Sequence, residues 1–548
     1  MTFIAVSIAI ESAAEVPSAL QRAVRAAEDG AELVEWRIDE IANEPDGAAL
    51  TTRLVAESPL PSIVTCRPIW EGGYYDGGDD ERVSLFEAVG TADHPPRYLD
   101  VELAAYARSR NLRQKVNLVV AHPEQVRDLR TALVLSSHDF DGRPADLLRR
   151  LHAMQDEPAC AVAKLAWRAR SIRDNLEAFE LLRHRGKPMI ALCMGDFGVM
   201  SRLLGPKFGA LLTFANDEEG RGTAPGQPTV RELSQVYRFR RIGPATRVYG
   251  VIGWPVRQSK GPLVHNAAFD AVGHDGAYVP MPIAPGWEPF KATVDALLEA
   301  HWLDFRGASV TIPHKENLLR FVRERDGAVH PDAEAIGAAN TLVVREDGTL
   351  ECLNTDAPAA VQTLIEDGGI GEGDLAEARI AVIGAGGAAR AAVRGLSEVG
   401  ATVTVLNRTS ERAERLAAAL NGLPTRRGRA AEVRTGNMQE LSSTSFAVIV
   451  NCTPAGMAGG TAPDALPVPD DVRLEGTTTV FDTVYNPPGT PLLALARDRG
   501  ARTVGGTGMF LRQAALQSTA WTGHAGALDA MRRAMEDALP TTSSRSEP

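Results

Sequence analysis

Lys164 stands in the middle of AVAKLAW, an apolar stretch in which a lysine is out of place. An amine held among apolar side chains loses hydration, which favours its neutral, nucleophilic form, and a neutral amine can add to a ketone to give a Schiff base. A lone lysine in such a run more commonly snorkels its ammonium out to solvent. Two further groups weigh against that here. His138 in LSSHDF and Glu102 in LDVEL each close a short apolar run, one and two runs upstream. A Schiff base acidifies the neighbouring carbon, a histidine can shuttle the proton, and a carboxylate can orient the histidine. Other apolar runs also end in charge: Glu35, Arg37 and Asp39 in VEWRIDE, Arg67 in TCRP, and Asp100 just ahead of Glu102.

A second set lies in the other half of the chain. Lys315 in SVTIPHKEN, Asn340 in GAANTL and Asp356 in NTDAP sit inside or just after short apolar strands. A lysine and an aspartate side by side can pass a proton to or from an alcohol while hydride moves on or off its carbon. Downstream, ARIAVIGAGGAARAAVRGL joins an apolar run to an Ala-rich helical stretch through Gly384, Ala385, Gly386, Gly387 and Ala388. Many strand–helix turns carry glycines, so the next run, VTVLNRTSER, has to sharpen the reading. An NAD site ends that run in an acid for the ribose hydroxyl; here it ends in Asn407, Arg408 and Thr409, with Arg412 following. Basic groups there suit a 2′-phosphate, hence NADP(H). The plainer alternative is a solvated basic turn.

These groups need elements to hold them. Residues 1–240 alternate eight apolar runs (FIAVSIAI, ELVEWRID, PSIVTCR, RYLDVEL, TALVLSSHDF, ACAVAKLAW, PMIALCMG and ALLTFAN) with stretches at helical spacing. Strand–helix alternation of this kind predicts a (βα)8 barrel with chemistry at the C-terminal strand ends. KVNLVVAHP reads as part of an enlarged connection before TALVLSSHDF. A basic, Gly/Pro-containing stretch, RFRRIGPATRVYG, marks a boundary near 241–245. An α/β unit over 245–365 follows, completed by C-terminal helices over 508–537, and a glycine-turn unit over 366–507. The polar end, 538–548, reads as a disordered tail.

The bulk composition excludes several classes. At 548 residues, with 44% hydrophobic and 23% charged residues, the chain is that of an ordinary soluble multidomain protein. A formal charge of -12 disfavours nucleic acid as a partner. Five dispersed cysteines lack the spacing of a zinc site or redox pair, so no metal is expected. The first residues have no basic region ahead of their apolar run, and no apolar run reaches the ~18 residues of a membrane span. The expectation is a cytoplasmic enzyme of small-molecule substrates, its oligomeric state left open.

The motifs VEWRIDEI, TCRPIWEGG, LDVEL, LSSHDF, AVAKLAW and GTAPGQ resemble the type I 3-dehydroquinate dehydratases over nearly all of residues 1–235. The resemblance implies Lys164 as Schiff-base nucleophile, His138 as general acid/base and Glu102 as its partner. It also implies substrate contacts from Ser7, Glu35, Arg37, Arg67, Arg202, Thr223 and Gln227. The segments YGVIGWPVRQSKGPLVHN, GASVTIPHK, GAANTL, NTD, IGAGGAARA, NRT, NCTPAGM, FDTVYNPPGTPLL and GGTGMFLRQAALQ resemble the shikimate dehydrogenase family over 247–535. That implies a substrate-binding lobe followed by a Rossmann NADP-binding lobe. Lys315 and Asp356 become the catalytic pair, and Ser259, Gly261, Thr311, Asn340, Tyr485 and Gln513 line the substrate. Gly384, Ala385, Gly386, Gly387, Ala388, Asn407, Arg408, Thr409, Arg412, Thr453, Met457, Val484 and Gly505 hold the cofactor. In tandem the two resemble the bifunctional plant enzymes.

There are departures. Thr223 stands where the dehydratases usually have serine, which keeps the hydroxyl. In the dehydrogenase half Gly261 replaces the second serine of the opening motif, Gln258 replaces its histidine, and NTDAPA lacks a glycine. Losing the serine implies weaker hold on a substrate carboxylate, by about 1 kcal/mol for one hydrogen bond, and an enlarged pocket near C1. The leading reading is dehydration of 3-dehydroquinate to 3-dehydroshikimate, then NADPH-dependent reduction to shikimate. The alternatives are quinate/shikimate oxidation, which Gly261 favours, and a weakly active regulatory module.

Overall fold

The computed structural model describes residues 1–123, 125–218, 226–460 and 462–538. Their strands form three sheets. The first contains β1 (Phe3–Ala9), β2 (Leu33–Arg37), β3 (Ser62–Thr65), β4 (Tyr98–Glu102), β5 (Ala132–Asp139), β6 (Cys160–Arg168), β7 (Met189–Met194) and β8 (Leu212–Ala215). They are hydrogen-bonded in the order β7-β6-β5-β4-β3-β2-β1-β8, all parallel. Between β8 and β7 the Leu211 N–H donates to the Met189 carbonyl at 2.9 Å. The result is a near-closed (βα)8 barrel. KVNLVVAHP lies outside the sheet, its first residues ending the helix Arg110–Asn117.

Successive side chains on a strand point to opposite faces, so every second residue faces the barrel axis. Ala5, Leu33, Ile63, Tyr98, Val134, Val162, Ile190 and Leu212 meet there in one buried apolar layer. Two residues further along each strand the layer changes character: Ser7, Glu35, Thr65, Asp100, Ser136 and Lys164, with Leu192 and Phe214 completing the ring. The dry layer below is the floor on which the polar layer stands. Bulky apolar residues on the opposite faces, Val6, Trp36, Val64 and Trp167 among them, pack outwards against the helices.

The second sheet joins β9 (Arg247–Gly253), β10 (Gly276–Pro282), β11 (Phe305–Val310), β12 (Ala328–Val329), β13 (Thr341–Val344) and β14 (Leu350–Leu353). Its order is β10-β9-β11-β13-β14-β12, with β13 antiparallel to both neighbours. The third is parallel: β15 (Arg379–Ile383), β16 (Thr402–Leu406), β17 (Glu432–Gly436), β18 (Val448–Asn451), β19 (Thr479–Asp482) and β20 (Arg502–Val504), in the order β17-β16-β15-β18-β19-β20. The chain runs outwards in both directions from β15 and β18, which is the switch point where doubly wound sheets bind nucleotides. The helices Gly506–Thr522 and Leu528–Asp537 return to the second sheet. There Leu511, Ala514 and Met531 pack on Val264 and Ala268 of the helix Gly261–Ala271.

Barrel and second sheet are in direct contact. Trp302 lies edge-on to Phe179 and Phe208, at 6.4 and 5.4 Å between ring centroids. Phe197, just beyond β7, stacks on Trp254, just beyond β9, at 5.1 Å. Lys207 donates to the carbonyls of Pro244 and Thr246 in the connecting segment. Among the described residues no helix is long and apolar enough to cross a membrane.

Candidate active sites

The polar layer of the barrel is a buried network centred on Arg67. Its Nη2 donates to Asp100 Oδ1 at 2.8 Å, and its Nη1 donates to Glu102 Oε1 at 2.7 Å and to Ser136 Oγ at 2.8 Å. The second oxygen of Asp100 accepts from Lys164 Nζ at 2.8 Å. Glu35 Oε1 is 3.7 Å from the same amine, and Ser7 and Thr65 donate to its carboxylate. The Phe214 ring lies 4.4 Å from Lys164 Nζ and shields it from water. Burial by itself would push the Asp100 carboxyl up, but Arg67 and Lys164 outweigh it and hold the group well below the usual carboxylate range. Burial likewise works against the Arg67 cation, and the surrounding carboxylates hold it firmly charged.

His138 meets a different acid from the one expected. Its backbone N–H donates to Glu71 Oε1 at 2.8 Å, and its ring Nδ1 faces the same oxygen at 3.0 Å. Glu102 instead lies fully buried between two arginines, its Oε2 accepting from Arg82 Nη1 at 2.6 Å. Glu71 ends a short turn of helix, Ile69–Glu71, in the loop after β3. Strand-end reasoning passed it over for that reason, although TCRPIWEGG contains it. Burial pushes the Glu71 carboxyl up to about 7, with Arg67 pulling against it. Burial, then Arg67 and Lys164, hold the His138 imidazole well below its ordinary range, so at neutral pH it is an unprotonated base.

Arg202, on the helix Val199–Leu203 beyond β7, is buried yet has no hydrogen bond or ion pair among the described residues. Burial pushes its guanidinium down to about 10. An unpaired cation with two rows of donors suits a carboxylate brought by a ligand. Arg37 is already committed to Asp39, at 2.5 Å. The Gln227 carbonyl accepts from Asn216 at 3.2 Å, and Thr223 lies outside the described residues.

In the second half Lys315 opens the helix Lys315–Arg323 and Asp356 opens the helix Asp356–Glu366. Lys315 Nζ donates to Asp356 Oδ2 at 2.5 Å, and Asn340 Nδ2 donates to Asp356 Oδ1 at 2.9 Å. Gln517, which the sequence did not single out, donates to the Asn340 carbonyl at 3.1 Å from the returning C-terminal helix. Thr311 follows β11 beside Gly253; Tyr485 stacks on Phe510 at 4.4 Å; Gln513 donates to the Phe510 carbonyl.

The glycine turn lies against this pair. Gly384 has φ +114°, which a side chain would strain. A Cβ at Gly387 would come 3.2 Å from Lys315 Cδ, whereas one at Gly386 would meet nothing within 4 Å. Gly386 therefore leaves an open cradle at the N-terminus of the helix Gly387–Val399, which also carries Ala388. Ala385 sits within the turn. Asn407 follows β16, and Arg408, Thr409 and Arg412 are exposed; neither arginine forms an ion pair among the described residues. Thr453 donates to Asn451 at 2.7 Å at the end of β18, Val484 is buried after β19, Met457 is exposed, and Gly505 caps the helix Gly506–Thr522. An open cradle, uncommitted cations and an adjacent proton-transfer pair fit a phosphorylated dinucleotide. A cleft of about 700 Å³ is lined by Asn216 and Gln227 from the barrel and by Ser259 and Lys260 from the second half.

Comparison with known proteins agrees with this division. Residues 4–244 match the type I 3-dehydroquinase family, and 251–342 the shikimate dehydrogenase substrate binding domain. Residues 369–440 match shikimate/quinate 5-dehydrogenase, and 506–536 the shikimate 5′-dehydrogenase C-terminal domain. The chloroplastic bifunctional 3-dehydroquinate dehydratase/shikimate dehydrogenase of Arabidopsis thaliana is 36% identical over 91% of this chain and 79% of its own. The chain belongs to this bifunctional family. Its dehydrogenase half is 40% identical to the NADP(+) shikimate dehydrogenase of Methanocella arvoryzae, over 53% of this chain and 99% of that one. Similar solved structures include the Thermus thermophilus shikimate 5-dehydrogenase with NADP(H) and shikimate (31% identity, 54% of this chain and 100% of that one, TM-score 0.45). Another is the dehydroquinate dehydratase and shikimate dehydrogenase of S. pombe (23%, 98% of each chain, TM-score 0.40).

The dehydratase geometry makes a pH prediction. An ionised Glu71 balances the imidazolium that forms when His138 takes a proton, so activity should rise with pH through about 7. Glu71→Gln should lower kcat about tenfold or more and remove that rising limb. A variant with unchanged kcat and pH profile would show that Glu71 does not serve His138.

Proposed function

We propose that the barrel converts 3-dehydroquinate to 3-dehydroshikimate on Lys164, and that the second half reduces the product to shikimate with NADPH. Lys164 adds to the substrate ketone and expels water to form an iminium, which acidifies the adjacent carbon. His138, neutral and oriented by Glu71, takes that proton and returns it to the departing hydroxyl. Hydrolysis of the iminium frees the amine. Arg202 takes the substrate carboxylate, and Arg67 holds Asp100, hence Lys164, in place. Ser7, Glu35, Arg37 and Gln227 complete the wall. The observation that carries this reading is a buried lysine, ion-paired to Asp100, with a histidine close enough in the same barrel for the lysine's charge to help hold it neutral.

In the dehydrogenase half Lys315 and Asp356 hold and move the proton on the substrate oxygen, and Asn340 fixes the carboxylate between them. Ser259, Thr311, Tyr485 and Gln513 position the ring. NADPH, when bound, supplies the hydride. Gly384, Gly386 and Gly387 take its pyrophosphate, Arg408 and Arg412 the 2′-phosphate, and Met457, Val484 and Gly505 border the nicotinamide side. The intact Lys315–Asp356 pair supports an enzyme over a regulatory module. The units divide near 240 and near 366, with 508–537 returning to the substrate lobe. Five free thiols, four of them buried, support a reducing compartment such as the cytoplasm.

Borohydride reduction in the presence of dehydroquinate should leave one substrate-derived adduct on Lys164, located by mass spectrometry. An unmodified Lys164 would sink the Schiff-base step. For the cofactor, Arg408→Ala/Arg412→Ala should raise KM for NADP about tenfold or more while changing KM for NAD little. Equal changes for both would remove the 2′-phosphate assignment.

A further inference from the structure

Gly261 departs from the opening motif of the shikimate dehydrogenases, and on sequence alone it enlarges the pocket. The structure fills that space. A Cβ at 261 would come within 3.1 Å of Ser259 Oγ, 3.2 Å of Tyr278 Cε1 and 3.3 Å of the Tyr278 hydroxyl. A serine there would press on a phenol from β10, which would have to give by a few tenths of an ångström. Tyr278 is 1% exposed, and its ring is stacked on His265 at 4.3 Å with Trp521 at 5.9 Å, so it has little room to swing aside.

The hydroxyl is also placed to donate. It lies beside Ser309, whose own proton goes to Gln517 Oε1 at 2.6 Å. A neutral phenol has one O–H to give, and a carboxylate is a stronger acceptor than a neighbouring hydroxyl. Burial raises its ionisation far above the ordinary range, so it keeps its proton. Gln517 donates onwards to the Asn340 carbonyl, and Asn340 to Asp356, which ties the phenol to the frame of the proton-transfer pair. Nearby, Gly261 N–H donates to Ser259 Oγ at 3.1 Å. Ser259 belongs to the motif whose serines the family resemblance assigns to the substrate carboxylate, and Tyr278 stands beside it, both within 3.3 Å of where a side chain at 261 would begin.

We propose that Tyr278 determines substrate choice in the dehydrogenase half: its hydroxyl supplies the carboxylate contact that Gly261 lacks, and its ring excludes a second oxygen on the carboxylate-bearing carbon. This rests on the reading of that half as a dehydroshikimate reductase. A ring acid that is unsaturated at that carbon keeps its carboxylate in plane and fits. A saturated acid with a hydroxyl there, such as quinate, has to push an oxygen out of plane into the phenol.

The test uses the full chain with NADP+ and either shikimate or quinate. Tyr278→Phe keeps the ring and should raise KM for shikimate about tenfold, with kcat changed about twofold at most and KM for NADP+ unchanged. Gly261→Ser should lower kcat/KM for shikimate, because its side chain meets Tyr278. Tyr278→Leu, which removes the ring, should raise the quinate-to-shikimate ratio of kcat/KM about tenfold. An unchanged KM in Tyr278→Phe, improved shikimate turnover in Gly261→Ser, or equal use of quinate and shikimate by the unmodified protein would each overturn the proposal. If the unmodified protein fails to reduce dehydroshikimate with NADPH, the underlying reading fails instead.

Discussion

A charge shut away from water survives only with opposite charge or strong hydrogen bonds within a few ångströms. The barrel interior is organised around that constraint at Arg67. One guanidinium holds Asp100 and Glu102; Asp100 holds Lys164; Glu102 is held in turn by Arg82. Removing one member of such a set leaves an uncompensated buried ion, at a cost of about 3–5 kcal/mol. The network therefore fixes the Lys164 amine over the apolar floor formed by Leu33, Ile63, Val134 and Val162. It also sets the charge of its neighbours, since Arg67 and Lys164 help keep His138 neutral.

Against this paired framework, the unpaired cations stand out. Arg202 has no partner among the described residues although it is buried, and the exposed Arg408 and Arg412 form no ion pair among them. Paired cations build the site, whereas unpaired ones wait for an anion. On the proposed reading, Arg202 takes a ligand carboxylate in the barrel, and Arg408 and Arg412 take a phosphate beyond β16. The second half repeats the logic with fewer charges: Lys315, Asp356 and Asn340 form a closed set beside an open glycine cradle.

Much of this was legible in the sequence because strands impose a period of two. Once AVAKLAW, LDVEL and LSSHDF are strands, Lys164, Asp100 and His138 have to face one axis. The glycine turn and its basic successor are equally local signals. The partner of His138 was not legible. Several acids close strands nearby, and the one that reaches the histidine, Glu71, comes from a loop helix whose path depends on tertiary packing. What Gly261 does depends on tertiary packing in the same way. A missing side chain signals space only if nothing else enters it, and Tyr278 arrives there from a different strand, braced by Trp521 from the C-terminal helix. Gln517 was missed because the strands and helices of the whole third sheet separate it in sequence from Asn340.

The central claim is that one chain carries two sites acting in succession, each within its own half. The direct measurement supplies dehydroquinate and NADPH to the purified full-length chain and follows NADPH loss together with shikimate formation. The account predicts stoichiometric conversion, which Lys164→Met abolishes from dehydroquinate while reduction of added dehydroshikimate persists. No shikimate from dehydroquinate, or loss of both activities together in a folded Lys164→Met protein, would contradict it.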